Sequence, residues 1–210
     1  MNQRIERLEL KLLGSPLVLI ESRPITGFIT SKAEALLYYL AITARTHTRS
    51  ALAALFWPDV PESVARKNLR DIIFNLRKLL GDYLTITRQT IALNEQISYW
   101  VDATALRDII QRPNETIDYL QLRDTISLYQ GDLLEGFYVR DAEAFDEWLV
   151  AEREQLRVAV IQSMHRLVAY YLETSAWNEG LQLTQQLLAM DGWDEAAHRQ
   201  QMRLLAMCGQ

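Results

Sequence analysis

Residues 8–20 carry two short apolar runs, "LELKLLG" (8–14) and "PLVLI" (16–20), divided by Gly14-Ser15-Pro16. Apolar runs of this length around a turn signal predict two β-strands. From residue 31 the period changes. In "SKAEALLYYLAITAR" (31–45), Ala33, Leu36, Leu37, Leu40, Ala41 and Ala44 recur at helical spacing. Ser31 with Glu34 three residues on has the form of a capping box. "THTRSALAALFW" (46–57) predicts a short second helix, capped by Thr48 or Ser50 and ending before Pro58. A longer third helix begins around Pro61, which suits a first helical turn, and ends at Gly81. "YLTIT" (83–87) and "TIAL" (90–93) alternate apolar and polar residues around Arg88-Gln89, the pattern of a tight hairpin. Three helices followed by a two-stranded ribbon make the winged form of a helix-turn-helix.

Beyond Asp102 the pattern is helical. Phe145, Leu149, Leu156, Val160, Met164, Leu167 and Tyr171 trace one long apolar stripe. "WNEGLQLTQQLLAMD" (177–191) and "DEAAHRQQMRLLAMCG" (194–209) predict a helix pair around Gly192-Trp193. The Trp-x-x-Gly-Leu opening and the Asp-x-Trp-x-Glu turn resemble tetratricopeptide chemistry. Such helical hairpins stack and offer a groove for a partner or for dimerisation. Trp148, Trp177 and Trp193 read as core residues, and His165 as structural or surface. The expected fold is an α+β winged helix-turn-helix domain over 1–101, followed by an all-α, tetratricopeptide-like domain over 102–210.

Charge divides the chain at the same place. The whole chain is net -5. Residues 1–102 hold 13 Lys+Arg against 10 Asp+Glu, whereas the rest hold 9 against 17. Asymmetry of this kind is expected where one half meets a polyanion. The densest positive cluster is the third helix, "PESVARKNLRDIIFNLRKLLG" (61–81). At 100° per residue from Ala65, the residues Leu69, Ile72, Leu76, Leu79 and Leu80 form a core stripe with it. Arg66, Arg70 and Arg77 gather on another face, with Phe74 beside them and Lys67 and Lys78 beyond. A helix-turn-helix lays this helix in the major groove, where Arg meets guanine edges and Arg or Lys meets phosphate.

Other chemistries find little support. His47, His165 and His198 are scattered, and the single Cys208 makes no metal set. No Walker A or dinucleotide-binding glycine motif is present. An enzyme is not expected, and no cofactor is implied. No apolar run approaches the roughly 20 residues that span a bilayer, and "MNQRIERLEL" has no apolar h-region. A lone cysteine fits a cytoplasmic location.

The segment "ALFWPDVPESVARKNLRDIIFNLRKLLG" (54–81) resembles the DNA-binding domain of the antibiotic-regulatory (SARP) family of bacterial activators, an OmpR-type winged helix. The matching residues are Phe56-Trp57-Pro58-Asp59, Ala65-Arg66-Lys67-Asn68-Leu69-Arg70 and Leu76-Arg77-Lys78-Leu79-Leu80-Gly81. "SLYQGDLLEGF" (127–137), "FDEWLVAEREQLR" (145–157) and residues 177–209 resemble the family's bacterial transcriptional activator domain. Asn75 and Phe74 depart from the family pattern, which often has Arg at the first and a small residue at the second, so base preference is expected to differ. The chain also stops where the family continues with further helices, as a fragment of a longer regulator would. The resemblance implies double-stranded DNA as partner, contact with RNA polymerase, and homodimers on direct repeats. It makes Trp57, Pro58 and Asp59 a candidate polymerase-facing loop, with Trp57 open to a plain core role.

On the winged-helix reading, Arg66, Arg70 and Arg77 are the candidates for base or phosphate contact. Lys67 and Lys78 are candidates for phosphate, and Phe74 lies among them. Arg88, at the hairpin tip, is placed for the backbone or an adjacent minor groove, and Arg49, at a helix start, for a further phosphate. Two competing readings stand beside this one: a protein-interaction scaffold whose winged helix docks a protein, and a ligand sensor built on the helical half.

Overall fold

A computed structural model describes residues 7–112 and 118–209. Most of the opening stretch read for a leader, residues 1–6, lies outside that description, as do 113–117 and Gln210. The first elements are β1 (Leu8–Lys11), β2 (Leu17–Ile20), β3 (Arg23–Pro24), α1 (Ser31–Thr43), β4 (His47–Thr48), α2 (Arg49–Phe56) and α3 (Glu62–Leu80). There follow β5 (Leu84–Ile86), β6 (Thr90–Leu93), β7 (Tyr99–Val101), α4 (Asp102–Ile110), α5 (Tyr119–Ile126), α6 (Glu143–Glu173), α7 (Trp177–Met190) and α8 (Glu195–Met207). Among the described residues no helix is long and apolar enough to cross a membrane.

The chain forms two compact units, Met1–Ala105 with Gly131–Arg153, and Leu106–Gln130 with Glu154–Gln210. The boundary read from sequence after Val101 marks where strands give way to helices. Compactness partitions the chain differently, because residues 131–135 return to β1. Gly14 donates to the Asp132 carbonyl, Leu134 to that of Leu12, and Glu135 to that of Gly14. Arg153 then holds the carbonyls of Leu133 and Leu134, each at 2.6 Å. Residues 128–142 are therefore turns and a bridge rather than helix, with Leu134 and Gly136 at φ 53° and 72°.

In the first unit the predicted strands β1 and β2 pair antiparallel, Leu8 opposite Ile20 and Lys11 opposite Leu17. The sheet also takes in β3 and, in parallel with β1, β7. Asp102 sits at the join. Its buried carboxylate accepts from the amides of Leu12, Leu13 and Ala103. Burial pushes this carboxyl up, against the amides that pull it down. Helix α1 starts one residue earlier than a Ser31 cap requires. Thr30 is the cap and accepts from the Ala33 amide, so Ala33 holds the position a capping box gives to Glu, and Glu34 lies beyond it. Thr48 caps α2, and Gly81 closes α3 at φ 55°.

The wing has three strands, not two. β5 and β6 form the expected hairpin, and β4 adds to the free edge of β6, His47 opposite Ile91 and Thr48 opposite Thr90. This addition ties the start of α2 to the wing. Behind it, α3 buries Ala65, Leu69, Ile72, Ile73, Leu76 and Leu80. Ile73 completes the stripe, while Leu79 is only half-buried.

Among its described residues the second unit is made of helices joined by turns, with no strand. Leu156, Val160, Met164, Leu167 and Tyr171 of α6 are buried, as the stripe predicts. Helices α7 and α8 close on each other at Gly180, where an added Cβ would come within 2.8 Å of the Leu204 side chain. Asp194 caps α8 through the amides of Ala196 and Ala197 and also meets His165 at 2.7 Å. Burial alone would raise the Asp194 carboxyl, but the Ala197 amide, His165 and the Ala196 amide hold it below the usual range. Trp193 is a correction to the sequence reading. It is 93% exposed, because the turn is closed by its own amide on Asp191 and by His198 on the Gly192 carbonyl. Polar bonds hold the turn, so the indole is not needed in the core. Trp148, by contrast, packs against Tyr39 and Phe145 in the first unit.

Candidate nucleic-acid interface

Three elements converge on one side of the first unit. Arg66 and Arg70 come from α3, Arg49 from the first residue of α2, and Arg88 from the β5–β6 tip. Together with Thr48, Ser50 and Gln89 they line a concavity of about 470 Å³, floored by Leu69 and Ile73. Four arginines thus line one recess beside the capped start of a helix, where amide groups add partial positive charge.

Local bonds position Arg49, Arg66 and the turn that carries Arg88. The Arg49 amide donates to the Gln89 carbonyl at 2.8 Å, and its guanidinium to the Thr87 carbonyl at 2.7 Å. The Arg49 Nε is buried without a partner. Arg88 stands on a turn organised by Thr87, whose hydroxyl accepts from the amides of Gln89 and Thr90. Arg66 forms an ion pair with Glu62 one turn earlier, so one charge of the cluster is offset locally. Arg70 and Arg88 extend from exposed positions.

The remaining candidates lie outside the recess. Lys67, Phe74, Arg77 and Lys78 are exposed on α3 but do not line the concavity. Phe74 is 74% exposed. Its neighbour Asn75 is a structural clamp, which was not anticipated. The Asn75 amide donates to the Gly27 carbonyl at 3.0 Å and its carbonyl oxygen accepts from the Ile29 amide at 3.2 Å. Gly27 takes φ 98°, a conformation that suits glycine, and lies against Leu79. The signal for this was a single amide at the edge of the apolar stripe of α3.

Trp57, Pro58 and Asp59 follow α2 at its far end. Pro58 and Asp59 are exposed, and Trp57 is half-buried against Phe56. Lys32 fixes this corner. Its ammonium lies 5.2 Å from the Trp57 ring and donates to the carbonyls of Phe56 and Asp141, each at 2.6 Å. Burial lowers the Lys32 pKa, opposed by Asp141 and Glu143. Among the described residues no three His, Cys, Asp or Glu side chains gather as a metal set.

Residues 102–210 match the family model described as the bacterial transcriptional activator domain. Among solved structures, the chain is similar to Mycobacterium tuberculosis EmbR in complex with a low affinity phosphopeptide, with 20% sequence identity and a TM-score of 0.54. The match covers 96% of this chain and 65% of that one, and it is a likeness of fold. No curated protein matches the chain.

Proposed function

The chain belongs to the bacterial transcriptional activator domain family, as a SARP-type regulator, and from that premise we propose that it binds promoter DNA in a sequence-specific way and activates transcription. The observation that carries this reading is the convergence of Arg49, Arg66, Arg70 and Arg88 on one recess beside the exposed basic face of α3. In a chain of net charge -5, such a gathering of cations fits a polyanion with regularly spaced charges.

Residues 1–101 are the DNA-binding part and 102–210 the activator part. Helix α3 enters the major groove. Arg66, Arg70 and Arg77 meet base edges or phosphates, and Lys67 and Lys78 meet phosphates. The recess receives backbone phosphate from Arg49 and the start of α2, while Arg88 follows the strand toward the minor groove. Exposed Pro58 and Asp59, held through Trp57 and Lys32, present a loop to RNA polymerase. Two copies bind as a dimer on repeated half-sites.

Selection from a randomised duplex pool tests the reading, with the Arg66→Ala/Arg70→Ala double variant as control. An enriched repeated motif that the variant loses is the expected result, and its spacing gives the half-site separation. Absence of enrichment, with binding to a protein partner that salt leaves unchanged, would overturn it in favour of a docking scaffold.

A further inference from the structure

Phe74 is a large apolar side chain held in water by its helix. Ile73 on one side of it is buried, and Asn75 on the other is bonded to Gly27 and Ile29. These two neighbours fix the rotation of this turn of α3, so the phenyl ring is directed away from the core. Among the described residues it makes no ring contact. Arg70 lies one turn before it, and Arg77 and Lys78 one turn after, all exposed. A partner for this ring must therefore be apolar and arrive with negative charge around it.

The major groove offers such a group, the C5-methyl of thymine, on a base edge flanked by phosphates. We propose that Phe74 packs against the 5-methyl group of a thymine and determines specificity at that position. The inference rests on the DNA-binding reading above. Adenine is the less suitable partner for this turn. Its bidentate ligand is an Asn or Gln amide, and the Asn75 amide already bonds to the 27–29 loop on both of its polar atoms.

The test uses the duplex enriched by the unmodified chain. Each thymine is replaced in turn by deoxyuridine, which removes only the methyl group. At one or two adjacent positions binding should weaken roughly fourfold, the effect of burying one methyl-sized group, and elsewhere it should not change. Phe74→Ala should bind the thymine duplex more weakly and lose the distinction between thymine and uracil. Phe74→Leu, which keeps apolar bulk, should retain part of it. Because Phe74 is exposed, the variants should keep the parent melting temperature. Specific binding with no thymine–uracil difference anywhere, or with the difference intact in Phe74→Ala, would overturn the assignment and leave DNA binding standing. If no duplex is enriched, the DNA-binding reading fails first and the role of Phe74 with it.

Discussion

Glu62 and Arg66 form an exposed ion pair one turn apart on α3. A pair this exposed contributes little to folding. Its larger effect is on the recess, where Glu62 offsets Arg66 and, on the proposed DNA-binding reading, would repel phosphate. Glu62→Gln should therefore tighten DNA binding roughly two- to fivefold at low salt, with the gain shrinking as screening increases. Titration of the enriched duplex at two salt concentrations reads this directly. Arg70 is exposed and lines the same recess. Arg70→Ala should cost about 1–3 kcal/mol of binding if it reads a base, with preference relaxed at one position. Asn75 acts on the fold. Asn75→Ala removes two bonds to the 27–29 loop and should lower stability by about 1–2 kcal/mol, seen as a lower urea midpoint at unchanged slope.

At the scale of the element, the wing depends on a buried histidine. His47 in β4 packs against Tyr39 and bonds the Thr43 hydroxyl through Nε2 at 2.7 Å. Burial, and then the charge of Arg45, lower its pKa below 6.5. Between that lowered value and 6.5 the unfolded chain binds the proton and the folded chain does not. Stability is thus unaffected by His47 above 6.5 and falls as pH drops below it. Thermal melts at pH 7.5 and 5.5 should show this loss, and His47→Gln should flatten it. Asp194 acts lower on the scale, since its depressed carboxyl costs stability only as pH falls below about 3.8. The sequence showed the hairpin because β5 and β6 are adjacent and alternate. It did not show β4, which is two residues long, or β7, whose parallel partner lies about 90 residues away. The wheel of α3 revealed the basic face, since a helix carries its period in the sequence. The recess was not legible, because it forms only when β4 brings Arg49 to the wing tip. Trp193 misled because a tryptophan in a turn reads as core until the polar bonds closing that turn are known.

The whole molecule carries its charge unevenly, with net +3 over residues 1–102 and net -8 over the rest. Two accounts of salt dependence follow from this. If affinity tracks total charge, any substitution that raises the net charge by one should strengthen binding alike. If it tracks phosphate contacts, the slope of log K against log salt depends only on the cations that displace counterions, at about -0.9 per contact. The arrangement favours the second account, because the cations are gathered on α3, α2 and the wing while the acidic excess lies elsewhere in the sequence. Lys78→Ala should therefore weaken binding to all sequences alike and make the slope shallower by about one. Arg88→Ala should do the same if the wing tip holds a phosphate. Glu195→Gln, an exposed change on α8, alters net charge by the same amount and should leave the slope unchanged. Equal effects from Lys78→Ala and Glu195→Gln, opposite in sign, would mean that the overall field governs association and that the basic face is not a contact surface.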